Sequence, residues 1–202
     1  MKFLLTAILA GVVSNADALT VSSTSTIKGR SAGELQTFLA TPTNWPSIVA
    51  SSFGVEEADT AVIDGSSSPF FPLKKAPQAN AINRPLKKGD RVKEIFGLPP
   101  ILPLDVTWTC EENVTRKANK RNGSVNGGNL AFFSADGLGG IAKNCRMSFS
   151  ISEAGEDGND TTVDMNVEIE PVNPIANLAP AILKVDNDLA LKILLPLALK
   201  KA

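Results

Sequence analysis

Residues 173–199 read NPIANLAPAILKVDNDLALKILLPLAL, and no other stretch constrains the fold as tightly. Asn173-Pro174 is a capping residue followed by proline at the first helical position. Behind it Ile175, Leu178, Ile182, Leu183, Leu189, Ile193, Leu194 and Leu197 make the segment strongly apolar, and leucine outweighs β-branched residues after Ala181. That balance predicts helix rather than strand. Pro180 is expected to kink or restart the helix, and Pro196 to disturb its last turn. Asp186 and Asp188, set among apolar residues, are read as its wet face. A helix this apolar has to lie on something equally apolar.

The preceding segments supply that surface. Val163, Met165, Val167 and Ile169 alternate with Asp164, Asn166, Glu168 and Glu170; Cys145, Met147, Phe149 and Ile151 alternate with Arg146, Ser148 and Ser150. Further upstream Val106, Trp108 and Cys110 share one side of a strand, opposite Asp105, Thr107, Thr109 and Glu111. Val92, Glu94 and Phe96 share a side of the strand before that. Asn129 to Ser134 is a shorter strand whose phase is ambiguous, because Phe132 and Phe133 are adjacent. Clean period-2 patterns of this kind mean an antiparallel sheet with one wet face. The turns between them, such as Asn122-Gly123, Asp136-Gly137 and Glu156-Asp157-Gly158, favour residues tolerant of positive φ.

Towards the N-terminus, Leu19 to Ile27 reads as a first strand. Ser31 and Glu34 form a capping box for a short helix carrying Leu35, Phe38 and Leu39, which Pro42 stops. Asn44-Trp45-Pro46 starts a second short helix with Ile48 and Val49, and Val55 to Ile63 reads as a strand. Residues 64–89 form a long irregular loop, dense in Ser, Pro and Lys, with Phe70 and Phe71 as its bulky apolar pair. Residues 1–18 stand apart: Lys2, an apolar run from Phe3 to Val13 too short to span a bilayer, and Ala16-Asp17-Ala18 together read as a secretory signal peptide. The domain proper is then 19–202. A secreted or secretory-pathway location is expected. The Ser- and Thr-rich stretch from Leu19 to Arg30 keeps a two-part plastid-targeting signal as the alternative.

Composition narrows the chemistry. In 202 residues, 20 basic and 21 acidic side chains give a net charge of −1, which offers no field for nucleic acid. There is no histidine and no tyrosine. Imidazole bases, Ser-His-Asp and Cys-His nucleophile systems and His-ligated zinc are therefore excluded. No metal-ligand cluster, phosphate-cradling loop or dinucleotide fingerprint is present, so no metal and no cofactor is expected. Cys110 and Cys145 are read as free, because another strand separates theirs. Sequons at Asn113, Asn122 and Asn159 occur about as often as this composition gives by chance.

The order strand, two short helices, six strands and a long final helix resembles the helix-grip fold of the START-like superfamily, also called SRPBCC or the polyketide cyclase/dehydrase-like group. The resemblance spans about residues 19 to 199. It draws on Asn44-Trp45-Pro46-Ser47-Ile48, on Gly89-Asp90-Arg91-Val92 and on Trp108 midway along its strand. It implies an α+β fold in which a curved antiparallel sheet of about seven strands wraps the C-terminal helix, with two short helices between strands 1 and 2. It also implies a cavity between sheet and helix holding a hydrophobic ligand. On residue type alone a solid core is the plainer reading. The apolar connection Gly97-Leu98-Pro99-Pro100-Ile101-Leu102-Pro103 is similar to the gate loop of plant abscisic acid receptors, although the histidine of their companion latch is missing. It reads either as a mobile lid or as a rigid edge plug.

The residues expected to line such a cavity are Phe96, Leu98, Pro99, Val106, Trp108, Phe132, Met147, Phe149, Met165, Val167, Ile182, Leu189 and Ile193. Glu94 is the one acid whose strand phase points inward, a candidate for orienting a ligand hydroxyl or for general acid–base work. The expected function is carriage of a hydrophobic small molecule (a lipid, sterol, isoprenoid or pigment) by a monomer with no membrane span in its mature chain. A polyketide cyclase or dehydratase-like enzyme using Glu94 is one alternative. A cavity-less scaffold presenting the loop from Ser66 to Leu86 is the other.

Overall fold

The computed structural model describes residues 18–58, 82–98, 102–116, 127–137, 141–154, 160–172 and 179–201. A curved seven-stranded antiparallel sheet dominates them. Its strands are β1 (Leu19–Ile27), β2 (Ser52–Glu57), β3 (Arg91–Leu98), β4 (Leu102–Arg116), β5 (Gly127–Ser134), β6 (Ala142–Ala154) and β7 (Asp160–Pro171). The spatial order β1-β7-β6-β5-β4-β3-β2 puts the first two strands at opposite edges. Helices α1 (Ala32–Ala40) and α2 (Trp45–Ile48), joined through a single tight turn at Pro42–Asn44, carry the chain from one edge to the other. The Ser31–Glu34 capping box opens α1 as expected.

The expected period-2 faces are present. Val92, Val106, Trp108, Cys110, Phe132, Cys145, Phe149, Ile151, Val163, Met165, Val167 and Ile169 are all buried in one core. The ambiguity in β5 resolves with Phe132 inward, its ring edge-on to Trp45 at 5.2 Å. Cys110 and Cys145 are buried and not bridged to each other, with β5 between β4 and β6.

Three readings of the chain need correction. The connection after β3 is mostly paired strand: Gly97 faces Pro103 and Leu98 faces Leu102. Ladder hydrogen bonding extends β3 and β4 into what reads as a greasy loop, and residues 99–101, with Pro99, lie outside the described residues. The strand expected over Val55 to Ile63 is instead Ser52–Glu57. The far end of the irregular region is also not loose. Leu86 is fully buried and its N–H donates to Ala40 O at 2.8 Å, while residues 66–81 of the stretch read as a scaffold loop lie outside the described residues. Phe70 and Phe71 lie outside the described residues, as do residues 1–17 of the expected signal segment.

The C-terminal helix runs as α3 (Ala179–Leu189), a wider π-type turn (Ala190–Leu194) and α4 (Leu195–Leu199). Pro196 explains the wide turn. It has no N–H to give to the carbonyl four residues back, and its ring crowds that carbonyl. The i→i+5 bond from Leu195 N–H to Ala190 O opens the turn just before it. Residues 173–178, where the helix was expected to begin, lie outside the described residues.

Candidate functional site

Between the C-terminal helix and the sheet lies a cavity of about 80 Å³. On the same measure one water occupies roughly 10–15 Å³, so the space exceeds an ordinary packing defect. Its sheet wall comes from Trp108, Met147, Phe149, Met165 and Val167, all expected there, together with Cys145 and Ile169. Leu39, Trp45, Ile48 and Val49 close one side, and Leu183, Ala190 and Leu191 form the helix side. Glu94, Asp186 and Asn187 are its polar members.

The remaining expected residues fall elsewhere. Val106 and Phe132 are buried in the core but do not reach the cavity. Phe96 and Leu98 lie in β3, their side chains outside what the structure describes. The helix residues are misphased. Ile182 and Ile193 face outward, 43% and 52% exposed, and Leu189 is half-buried without touching the cavity. The inward row is instead Leu183, Asp186, Asn187, Ala190 and Leu191, spaced i, i+3, i+4, i+7 and i+8. This helix is apolar nearly all round, so hydrophobicity does not mark its inner face.

Both aspartates read as wet are in fact attachment points. Ser51 Oγ, between α2 and β2, donates to Asp186 Oδ2 at 2.8 Å. On the other side Ser23 Oγ of β1 donates to Asp188 Oδ1 at 2.7 Å, and Lys184 and Lys192 flank the same carboxylate at 2.7 and 3.1 Å. The helix is thereby tied to both edges of the sheet. Arg30 Nη2 also donates to Leu199 O at its end.

Glu94 is the least ordinary group in the molecule. Strand alternation puts it inward between Val92 and the cavity, and it is 2% exposed. Trp108 Nε1, one strand over, donates to Glu94 Oε2 at 2.9 Å. Among the described residues Oε1, Asn187 Nδ2 and the hydroxyl of Ser52 on β2 make no hydrogen bond of ordinary geometry, although that hydroxyl lies close enough to Glu94 to favour its charged form. Burial pushes the Glu94 carboxyl up to about 7; the nearby Ser52 hydroxyl and the Trp108 bond oppose this, and the Asp186 charge adds to it. Burial raises Asp186 as well, with the Ser51 bond pulling the other way. Near neutral pH this end of the cavity can therefore accept or donate a hydrogen bond, and it can exchange a proton. No group of three or more His, Cys, Asp or Glu side chains among the described residues is placed to hold a metal ion.

No protein-family profile matches this chain, and no curated protein matches it. Solved structures do. A START superfamily protein from Mycobacterium smegmatis superposes with a TM-score of 0.53 at 12% identity, covering 88% of this chain and 98% of that one. The di-domain ARO/CYC BexL from the BE-7585A biosynthetic pathway gives 0.52 at 10% identity over 88% of this chain, which spans 46% of that longer protein. The fold is the START-like helix grip. At these identities the likeness concerns the fold alone. Within this helix grip, sequence reasoning missed Leu39, Trp45, Ile48 and Val49, the sheet residues Cys145 and Ile169, and the whole inward row of the helix, Leu183, Asp186, Asn187, Ala190 and Leu191. Trp45 was noticeable only as part of the Asn44-Trp45-Pro46 signal, and its Nε1 donates to Leu39 O at 2.8 Å, which turns the ring under the sheet.

Proposed function

We propose that this protein binds and carries a hydrophobic small molecule in the space between sheet and C-terminal helix. The supporting observation is an apolar cavity whose lining includes a buried carboxyl with one oxygen that makes no hydrogen bond. A core built only for stability gains nothing from such a group, because a buried acid without full pairing costs more than an apolar replacement. Affinity would come from apolar burial at roughly 25 cal/mol per Å², and orientation from the polar end. The guest class is a lipid, sterol, isoprenoid or pigment.

The test is direct. Organic extraction of the purified protein, followed by mass spectrometry, should return one apolar compound in stoichiometric amount. The neutral dye phenylnaphthylamine should brighten on binding, and Ala190→Phe, which fills the cavity from the helix side, should abolish that signal. An empty extract together with a silent dye overturns the proposal.

A second reading, proton-transfer catalysis of the cyclase or dehydratase kind, is favoured by the position of Glu94 near neutrality. It requires Glu94→Gln to abolish turnover while guest affinity persists; an active variant ends it. We also infer export, from the sequence of residues 1–18. The recovered secreted protein should begin at Leu19, and a retained Met1 would contradict this.

A further inference from the structure

Resting on that carrier reading, we propose that the guest is an apolar molecule ending in a hydroxyl, seated between Glu94 and Asn187, and that the acid of the same skeleton is rejected. Among the described residues three buried side-chain polar atoms lack a partner: Glu94 Oε1, Asn187 Nδ2 and Ser52 Oγ. Their residues are 2%, 4% and 2% exposed. Buried polar groups are paired in the great majority of cases, and two of these three residues, Glu94 and Asn187, line the same cavity, which calls for a ligand group.

The two orphans whose residues line the cavity are complementary. Glu94 Oε1 as a carboxylate oxygen only accepts, and Asn187 Nδ2 only donates. A hydroxyl answers both at once, giving its proton to Glu94 and receiving one from Asn187. An ether oxygen answers Asn187 alone, and an ammonium answers Glu94 alone. A carboxylate meets two acids, Glu94 and Asp186, and no lysine or arginine among the described residues lines the cavity to offset them. Leaving one of the site's own polar groups unpaired is what separates an alcohol from its closest analogues.

The experiment is displacement of phenylnaphthylamine from the full protein at pH 8 by four probes: decanol, its isomer nonyl methyl ether, decanoate and decylamine. Decanol should bind about tenfold or more tightly than the ether, the size expected for one hydrogen bond to a charged group. Transfer out of water on its own favours the ether, so this preference reports the polar contacts. Decanol should also outcompete decanoate, and that margin should shrink several-fold in Glu94→Gln, which removes the charge. Equal affinity for alcohol and ether, or tighter binding of decylamine than of decanol, overturns the hydroxyl assignment and leaves the carrier reading standing. If the dye does not bind, or binds Ala190→Phe unchanged, the carrier reading fails and takes the hydroxyl assignment with it.

Discussion

Two sets of polar side chains lie beneath the helices of this protein, and they are assembled in opposite ways. Under α1, Gln36 Nε2 donates to Asn113 Oδ1 at 2.7 Å, and Thr115 Oγ1 donates to Gln36 Oε1 at 3.3 Å. Asn113 Nδ2 donates to Leu86 O at 2.7 Å. Each atom of that set has a partner within the chain. Gly128 makes it possible, since a Cβ there would lie 2.0 Å from Gln36 Oε1. Under α3, by contrast, Glu94, Asn187 and Ser52 each keep an atom unpaired. A closed polar network specifies architecture; a buried open one costs stability and is tolerated where a partner from outside completes it.

The largest expected effect tests the open set. The folded protein holds the Glu94 proton up to about pH 7, whereas the unfolded chain releases it near the usual 4.5. Between those values folding takes up a proton, so the Glu94 contribution is complete below 4.5 and lost as pH rises through 7. The loss is on the order of 3 kcal/mol. Urea unfolding from pH 4.5 to 8 should show that decline in the wild type and a much flatter profile in Glu94→Gln. Asp188 runs the other way: Lys184, Ser23 and Lys192 hold its carboxyl below the usual range, so its support is present above that range and fades on acidification. Extending the urea series below pH 3.8 should therefore show the same acid limb in the wild type and the Glu94 variant. A variant that keeps the wild-type slope on the neutral side would show that Glu94 is ionised and paired, which removes the contrast.

Next in size is the closed set. Asn113→Ala strands both Gln36 Nε2 and Leu86 O, and the expected cost is about 2 kcal/mol at any pH from 5 to 8. A loss below about half a kcal/mol, well under the usual net worth of one hydrogen bond, would mean that the network is not what docks α1. The same bonds bear on the sequon at Asn113, since its Nδ2, the atom a glycan would take, is already engaged with Leu86 O.

Most of the sheet could be read directly, and the reason is physical. One wet face and one dry face give each strand a period of two, so Val92, Glu94, Trp108, Met147, Phe149, Met165 and Val167 declare their side. Reading stops where that period breaks. A bulge between Cys110 and Glu112 reverses the phase of β4 and turns Asn113 and Thr115 towards Gln36, and nothing in the local pattern announces it. The helix fails for a different reason. With Ile182, Val185, Ile193 and Leu197 exposed on its outer side, its apolar residues carry no phase, and its inner row is marked by the polar Asp186 and Asn187. Charge was taken to mean water, whereas these side chains had partners or a cavity waiting. Leu86 shows a third limit: tertiary contact with α1 orders a residue that its Pro- and Lys-rich neighbours mark as loop.

The smallest expected effect is the most discriminating. Asn187 is as buried as Gln36, at 4% exposed, and an amide in a core is ordinarily costly to lose. If its Nδ2 truly has no partner, Asn187→Leu removes an unpaid desolvation penalty and adds apolar contact at nearly constant volume. Stability in urea should then stay within about 1 kcal/mol of wild type or rise, the opposite of Asn113→Ala. Guest affinity should nevertheless fall, because the donor to the guest oxygen is gone. A loss as large as that at Asn113, with binding intact, would place Asn187 in the architecture, and the two polar sets would no longer differ in kind.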